Sequence, residues 1–285
     1  MLGKEEYVEQ AYFFRVMIER IGTGLPLQEL MEQTKFELLA TAKLPMAIDV
    51  LLAELKHRGK MHFGMELLQH YFVPFQTFLV AEAEQDRGRF DYKTGLQILA
   101  AEAQYRRDEK LSSQGLFFFQ FEAISRNRLN YDRGLLAMSS DPFYSAQWSQ
   151  WILHVRKQLG LLDLADMIYA RSQFAQTKRA LQSEPTAENE DPILFGSNEG
   201  KIAWANRRKD PLFLFAAMQR HLGYPEVPKF QPVDTLPSLV PQLQRHLERL
   251  ESRVKLLEDE QRSGIDITKF YGDSQSSKPV DLSDP

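Results

Sequence analysis

The sequence predicts an all-α protein on three observations. Apolar residues recur at steps of three and four along most of the chain. Prolines and glycines divide it into segments of helical length, with Pro26 and Pro45 placed to open helices and Gly59 to end one. Near the C-terminus a seam follows the a/d spacing of a coiled coil: Leu243, Leu247, Leu250, Val254 and Leu257. We expect an irregular multi-helix bundle or a short helical-hairpin superhelix, followed by a C-terminal coiled-coil helix.

The first part of the chain divides into helices at its glycines and prolines. Pro74 either kinks a helix or starts a new one, because proline fits only the first turn. The apolar run at 116–121 fits a buried helix or a strand, and helix is favoured because residues 122–128 continue its period. The predicted helices are 5–21, 26–42, 45–59, 61–72, 92–109 and 115–127.

The remaining body is also predicted to be mainly helical. Asp141-Pro142 is a helix-start pair, and it predicts a helix to Gly160 followed by another over 161–181. The polar segment 182–191 is predicted to be a loop, and apolar residues flanking a turn predict a short hairpin near 193–205. Asp210-Pro211 starts a helix that Gly223 ends.

An internal echo links two parts of the body. Arg89-Phe90-Asp91-Tyr92 matches Arg128-Leu129-Asn130-Tyr131 at an offset of 39 residues, and Gly-Leu follows at the same distance in both. Residues 131–142 also resemble the second helix of a tetratricopeptide repeat, and the offset falls within the periods of helical-hairpin repeats. Two copies leave open whether this is a repeat or a chance similarity between two helix starts.

The boundaries follow from composition. A helical body over 1–223 precedes a proline-rich linker over 224–237, a coiled-coil-like helix over 238–263 and a disordered tail over 264–285. In a parallel pair of such helices, Arg253 would face Glu258 and His246 would face Glu251. The seam therefore predicts an oligomer or a partner helix, with docking on the chain's own body as the alternative.

Composition narrows the function classes. The 285 residues include 43% hydrophobic and 26% charged residues with a net charge of -4, which is typical of a globular protein and makes nucleic-acid binding unlikely. The absence of cysteine excludes disulfides, thiol nucleophiles and thiolate metal sites. No apolar stretch is long enough to span a bilayer, and the first residues do not resemble a secretory signal. We expect no membrane association and a cytoplasmic location.

The candidate metal ligands are Glu54, His57, His62, Glu66 and His70. Glu54 and His57 form one E-x-x-H pair, and the other three recur every four residues, along one face of a predicted helix. Carboxylate and imidazole groups can bind zinc or iron, although ferritin-like sites use two E-x-x-H pairs. Solvated helix faces also carry such residues, so we expect no cofactor and keep a zinc or iron site as the alternative.

Arginine-rich stretches offer a second kind of site. Guanidinium groups at Arg106-Arg107, Arg126, Arg128, Arg133 and Arg207-Arg208-Lys209 could hold phosphate or carboxylate ligands, but nearby acids favour structural ion pairs. No nucleophile elbow or phosphate-binding loop accompanies them, so no catalytic residues are assigned. The leading hypothesis is a non-enzymatic interaction or scaffold protein that self-associates through its C-terminal helix. The alternative is an α-helical metal-binding protein or metalloenzyme.

Overall fold

The computed structural model describes residues 2–23, 25–38, 43–85, 90–181, 192–229 and Val254. These residues form thirteen α-helices, one short 3-10 turn and no β-strand, which confirms the all-α prediction for the described chain. The chain divides into two compact units, Met1–Phe230 and Gln231–Pro285. None of the described helices is both long and apolar enough to cross a membrane. The helices are α1 Lys4–Arg20, α2 Leu27–Glu37, α3 Leu44–Arg58, α4 His62–Leu67, α5 Pro74–Ala83, α6 Tyr92–Arg107, α7 Ser113–Arg126, α8 Tyr131–Ser139, α9 Ala146–Gln158, α10 Leu164–Ala170, α11 Gln173–Leu181, α12 Ser197–Ala205 and α13 Pro211–Leu222.

Helix α7 is the centre of the core. Four consecutive residues, Leu116, Phe117, Phe118 and Phe119, have no exposed surface. The Phe117 ring lies 4.8 Å from the ring of Trp151 and stacks on that of Phe121. All ten residues from Gly115 to Ile124 are buried, and a helix buried on all sides must be surrounded by other elements. The helical assignment of the 116–121 run is therefore confirmed.

Side-chain caps define where several helices begin. The carboxylate of Asp91 accepts a hydrogen bond from the Thr94 N–H at the start of α6, and the amide oxygen of Asn130 accepts one from the Arg133 N–H at the start of α8. These are the two copies of the internal echo. The matched residues Asp91 and Asn130 therefore both act as N-caps, because each accepts a hydrogen bond from an N–H that has no partner within its helix.

Three predicted elements are wrong. Asp141-Pro142 does not start a helix, because α9 begins at Ala146 with Ser145 as its cap while Asp141 is buried against Arg106. The single helix predicted over 161–181 is two helices, α10 and α11. The turn between them contains Arg171, whose carbonyl accepts hydrogen bonds from the backbone N–H groups of Leu194 and Phe195.

The predicted hairpin near 193–205 is the third error. Residues 197–205 form α12, and Phe195 makes only an isolated bridge with Ser172. Glu199 lies in the first helical turn, where a negative charge is favourable, so the residues taken for a turn suit a helix start equally well.

Two further boundaries differ from the prediction. Helix α4 ends at Leu67 and α5 starts at Pro74, so the observed helix covers only half of the span predicted over 61–72. Gly223 ends α13 in a left-handed conformation, with φ of 69°, as its position predicted. The chain beyond it does not leave the body at once: the Tyr224 hydroxyl donates to the Glu122 carboxylate at 2.7 Å. The compact unit accordingly extends to Phe230 rather than to 223.

Candidate interaction surface

The five candidate metal ligands do not come together. Because α4 ends at Leu67, His70 lies beyond the helix and cannot continue the face of His62 and Glu66. His57, Glu66 and His70 are exposed, and Glu54 pairs with Arg58 at 3.0 Å. Within the described ranges, no group of three or more histidine, aspartate or glutamate side chains is placed to hold a metal ion. The metal hypothesis has no geometric support there.

His62 has a structural partner instead. Its Nδ1 lies 2.6 Å from Oε2 of Glu84. The same carboxylate accepts hydrogen bonds from two backbone N–H groups, that of Met61 at Oε1 (2.6 Å) and that of His62 at Oε2 (3.1 Å). Glu84 thus satisfies N–H groups at the start of α4 that have no partner within the helix. The contact fixes α4 against the end of α5.

Arg106 belongs to a buried polar network. Its guanidinium donates to Glu102 at 2.8 Å and to Asp141, and all three side chains are at most 1% exposed. The Gln120 amide donates to both carboxylates, at 2.8 and 3.3 Å, and its oxygen accepts from the Tyr144 hydroxyl at 2.9 Å. Burial, with the Asp141 carboxylate as the next cause, raises the pKa of Tyr144 well above its usual value. The network joins α6 and α7 to the segment before α9.

Several of the remaining arginines also form structural pairs. Arg126 pairs with Glu122 one turn back on α7, and Arg133 reaches Glu82 on α5 at 3.2 Å. Since these guanidinium groups hold the body's own carboxylates, the ion-pair interpretation of these stretches is the one the geometry supports.

One exposed surface combines aromatic and cationic side chains from three helices. Trp204 is 40% exposed, and its ring centre lies 4.6 Å from that of Tyr169. The Lys178 ammonium lies 3.9 Å from the indole centre and the Arg207 guanidinium 4.2 Å. On the far side of Tyr169, the ring of Phe174 carries the Lys201 ammonium at 6.0 Å. We call this the basic–aromatic surface; it consists of Tyr169, Phe174, Lys178, Lys201, Trp204 and Arg207.

Some of the positive charges on this surface form ion pairs with described residues and others do not. Arg207 pairs with Asp166, and both side chains are about one-third exposed. Among the described residues, neither Lys178 nor Lys201 forms an ion pair, so their contacts are with aromatic rings. Cations over aromatic faces remain able to bind an anion from solvent. The arrangement can hold carboxylate or phosphate groups.

Sequence reasoning singled out Arg207 but missed the surface around it. Lys201, Trp204 and Arg207 recur every three residues, a spacing that places them on one face of a helix. The hairpin predicted for 193–205 excludes this helical spacing, so the three residues are not grouped by the sequence pattern. Tyr169 and Phe174 join the surface only through the packing of α10, α11 and α12.

The seam lies almost entirely outside the described residues. Of its members only Val254 is described, in a helical conformation with 52% of its surface exposed. No family model, curated protein or solved structure matches this chain. A functional interpretation depends on the chain's own residues.

Proposed function

We propose that this chain is a non-enzymatic interaction or scaffold protein that self-associates through residues 238–263. The observation that carries the proposal is the seam, whose five apolar residues alternate at steps of four and three. An isolated helix of this length gains most of its stability from packing, so the seam requires a partner surface.

The flanking charges support pairing between chains. In a parallel pair, Arg253 at g would meet Glu258 at e of the other helix, and His246 would meet Glu251. No like charges oppose one another at these positions. Pro232 and Pro237 lie between the first compact unit and the predicted helix, and they favour an extended spacer that gives the helix reach toward a second copy.

The described body supports a role in binding rather than in chemistry. Two of the groups that suggested chemistry have structural partners, since His62 contacts Glu84 and Arg106 donates to Asp141, and His57, Glu66 and His70 are not brought together. The basic–aromatic surface is, by contrast, open to solvent.

Light scattering after size-exclusion chromatography tests the proposal. The full chain, of 33.1 kDa, is expected to elute as a dimer or a higher oligomer, and residues 1–230 alone as a folded monomer. The shorter chain ends where the first compact unit ends and therefore keeps its own core. An unchanged subunit number after truncation would contradict the proposal.

A matched pair of substitutions separates the seam from the rest of the helix. Leu250→Glu puts a charge at a d position, whereas Leu256→Glu puts the same charge at c, away from the seam. We expect Leu250→Glu to yield a monomer and Leu256→Glu to leave the oligomer intact. Equal effects of the two changes would show that the seam does not mediate association.

A further inference from the structure

We propose that the basic–aromatic surface binds an acidic segment of a partner protein, one that also carries apolar side chains. This inference rests on the proposed interaction role but not on self-association through the C-terminal helix. The surface lies on α10, α11, α12 and the turn after α12, within the first compact unit.

The surface offers positive charge that is already in position. Two cations lie within 4.2 Å of one indole centre, and contact with the rings holds their flexible side chains near the surface. Their ordering is thus partly complete before a ligand arrives, which lowers the entropy cost of binding. Asp166 already neutralises Arg207, so the charges available to a ligand are those of Lys178 and Lys201, which form no ion pair among the described residues.

The arrangement around Trp204 favours carboxylates over nucleobases. Lys178, Arg207 and Tyr169 all lie within 4.6 Å of the indole centre, so a base would have to displace one of them in order to stack. A carboxylate can bind the cations where they stand. The net charge of -4 also repels a long polyanion such as a nucleic acid.

Exposed apolar residues follow the surface along the chain. Arg207 is succeeded by the exposed Arg208 and Lys209, and then by Leu212 and Phe213 in the first turn of α13, which are 47% and 62% exposed. Helix α13 packs against α12. Arg208 and Lys209 thus precede exposed aliphatic and aromatic groups in the chain, and this combination complements a peptide that alternates acidic and apolar residues, since charge steers the encounter and apolar groups supply buried area.

Fluorescence anisotropy with labelled probes tests this inference on the full chain. The probes are a synthetic peptide of alternating glutamate and leucine, its lysine–leucine counterpart and an oligothymidine. We expect binding of the acidic peptide alone, weakened by added salt. Binding of oligothymidine in preference to the peptide would overturn the inference, as would binding of neither.

A matched pair of double variants locates the binding. Lys178→Glu with Lys201→Glu reverses two charges of the surface, whereas Lys93→Glu with Lys157→Glu makes the same change at exposed lysines on α6 and α9. We expect the first pair to weaken acidic-peptide binding by about tenfold or more, and the second to leave it nearly unchanged. Equal losses would show that only the overall charge matters.

Two further readouts separate this inference from misfolding and from the oligomer proposal. Trp204→Phe keeps an aromatic ring under both cations and should retain most of the binding, whereas Trp204→Ala should reduce it. Circular dichroism of each variant checks that the helices remain. A full chain that is monomeric but binds the acidic peptide would refute the oligomer proposal alone, whereas a full chain that self-associates but does not bind the peptide would refute only this inference.

Discussion

Removing the cation of the buried network is the sharpest test of the fold. The change is Arg106→Met, which keeps an unbranched side chain of similar length but takes away the only positive charge that contacts Glu102 and Asp141 in the described structure. Glu102 would then keep only its bond from Gln120, and Asp141 its bonds from Gln120 and from the Phe143 N–H. Two fully buried carboxylates would remain without a cation.

The expected cost follows from that burial. Breaking a buried ion pair by removing one partner typically lowers the free energy of unfolding by about 3–5 kcal/mol, because the remaining charge is left unpaired away from water. For a unit of this size, roughly 2–4 °C in Tm corresponds to each kcal/mol, so Tm should fall by roughly 6–20 °C. Urea unfolding followed by far-ultraviolet circular dichroism, near neutral pH, measures the change directly.

A compensated variant distinguishes charge from shape. Combining Arg106→Met with Glu102→Gln and Asp141→Asn removes all three charges and keeps nearly the same volume. This triple variant should be more stable than Arg106→Met by about 1 kcal/mol or more, since no unpaired charge remains. If Arg106→Met costs less than about 1 kcal/mol, or if the triple variant is no more stable than it, the electrostatic reasoning fails.

Three further predictions follow from the structure. Burial raises the pKa of Tyr144 and Tyr224, so the folded chain keeps protons that the unfolded chain releases near pH 10.0. Stability should therefore be complete below that pH and fall above it by about 1.4 kcal/mol per pH unit for each such tyrosine. An unfolding free energy, measured in urea at stepped pH, that stays constant above pH 10.0 would contradict this. Gly134→Ala should destabilise by about 1 kcal/mol, since a Cβ there would lie 2.6 Å from the Ile124 side chain. Gly95→Ala, with 3.3 Å to its nearest neighbour, should cost less, and thermal melts that rank them the other way would refute the packing account. Metal analysis of the purified chain should find no stoichiometric zinc or iron, because His62 is held by Glu84. Stoichiometric metal that is lost on His62→Ala would restore the metal hypothesis.

Much of the fold was predictable because local chemistry fixes helix ends. Asp210 caps α13 and Gly223 ends it in the left-handed conformation, as both residue types favour. The internal echo likewise reflects two helix starts capped by Asp91 and Asn130. Such signals act within one turn of helix and need no tertiary partner.

The errors arose where local signals compete with packing. Asp141 precedes proline and suits a helix cap, yet it is buried as a partner of Arg106, 35 residues away. Withdrawing Asp141 would leave the buried Arg106 with one carboxylate fewer, and breaking a buried ion pair costs about 3–5 kcal/mol, more than the roughly 1 kcal/mol of a cap. The prediction that His62, Glu66 and His70 share one helix face is wrong for a related reason. A four-residue spacing places side chains on one face only within a continuous helix, and α4 ends at Leu67.

The sequence by itself determined that the described part of the chain is helical, that acids lie near several of its arginines, and that apolar residues follow a/d spacing near its C-terminus. These properties depend on which residues lie close together along the chain, and the sequence contains that information directly. Only the tertiary structure decided that Lys178 meets Trp204 and Arg207 on one surface, because α11 carries Lys178 while α12 and the turn after it carry the other two. The basic–aromatic surface, and with it the proposed acidic partner, follows from that packing.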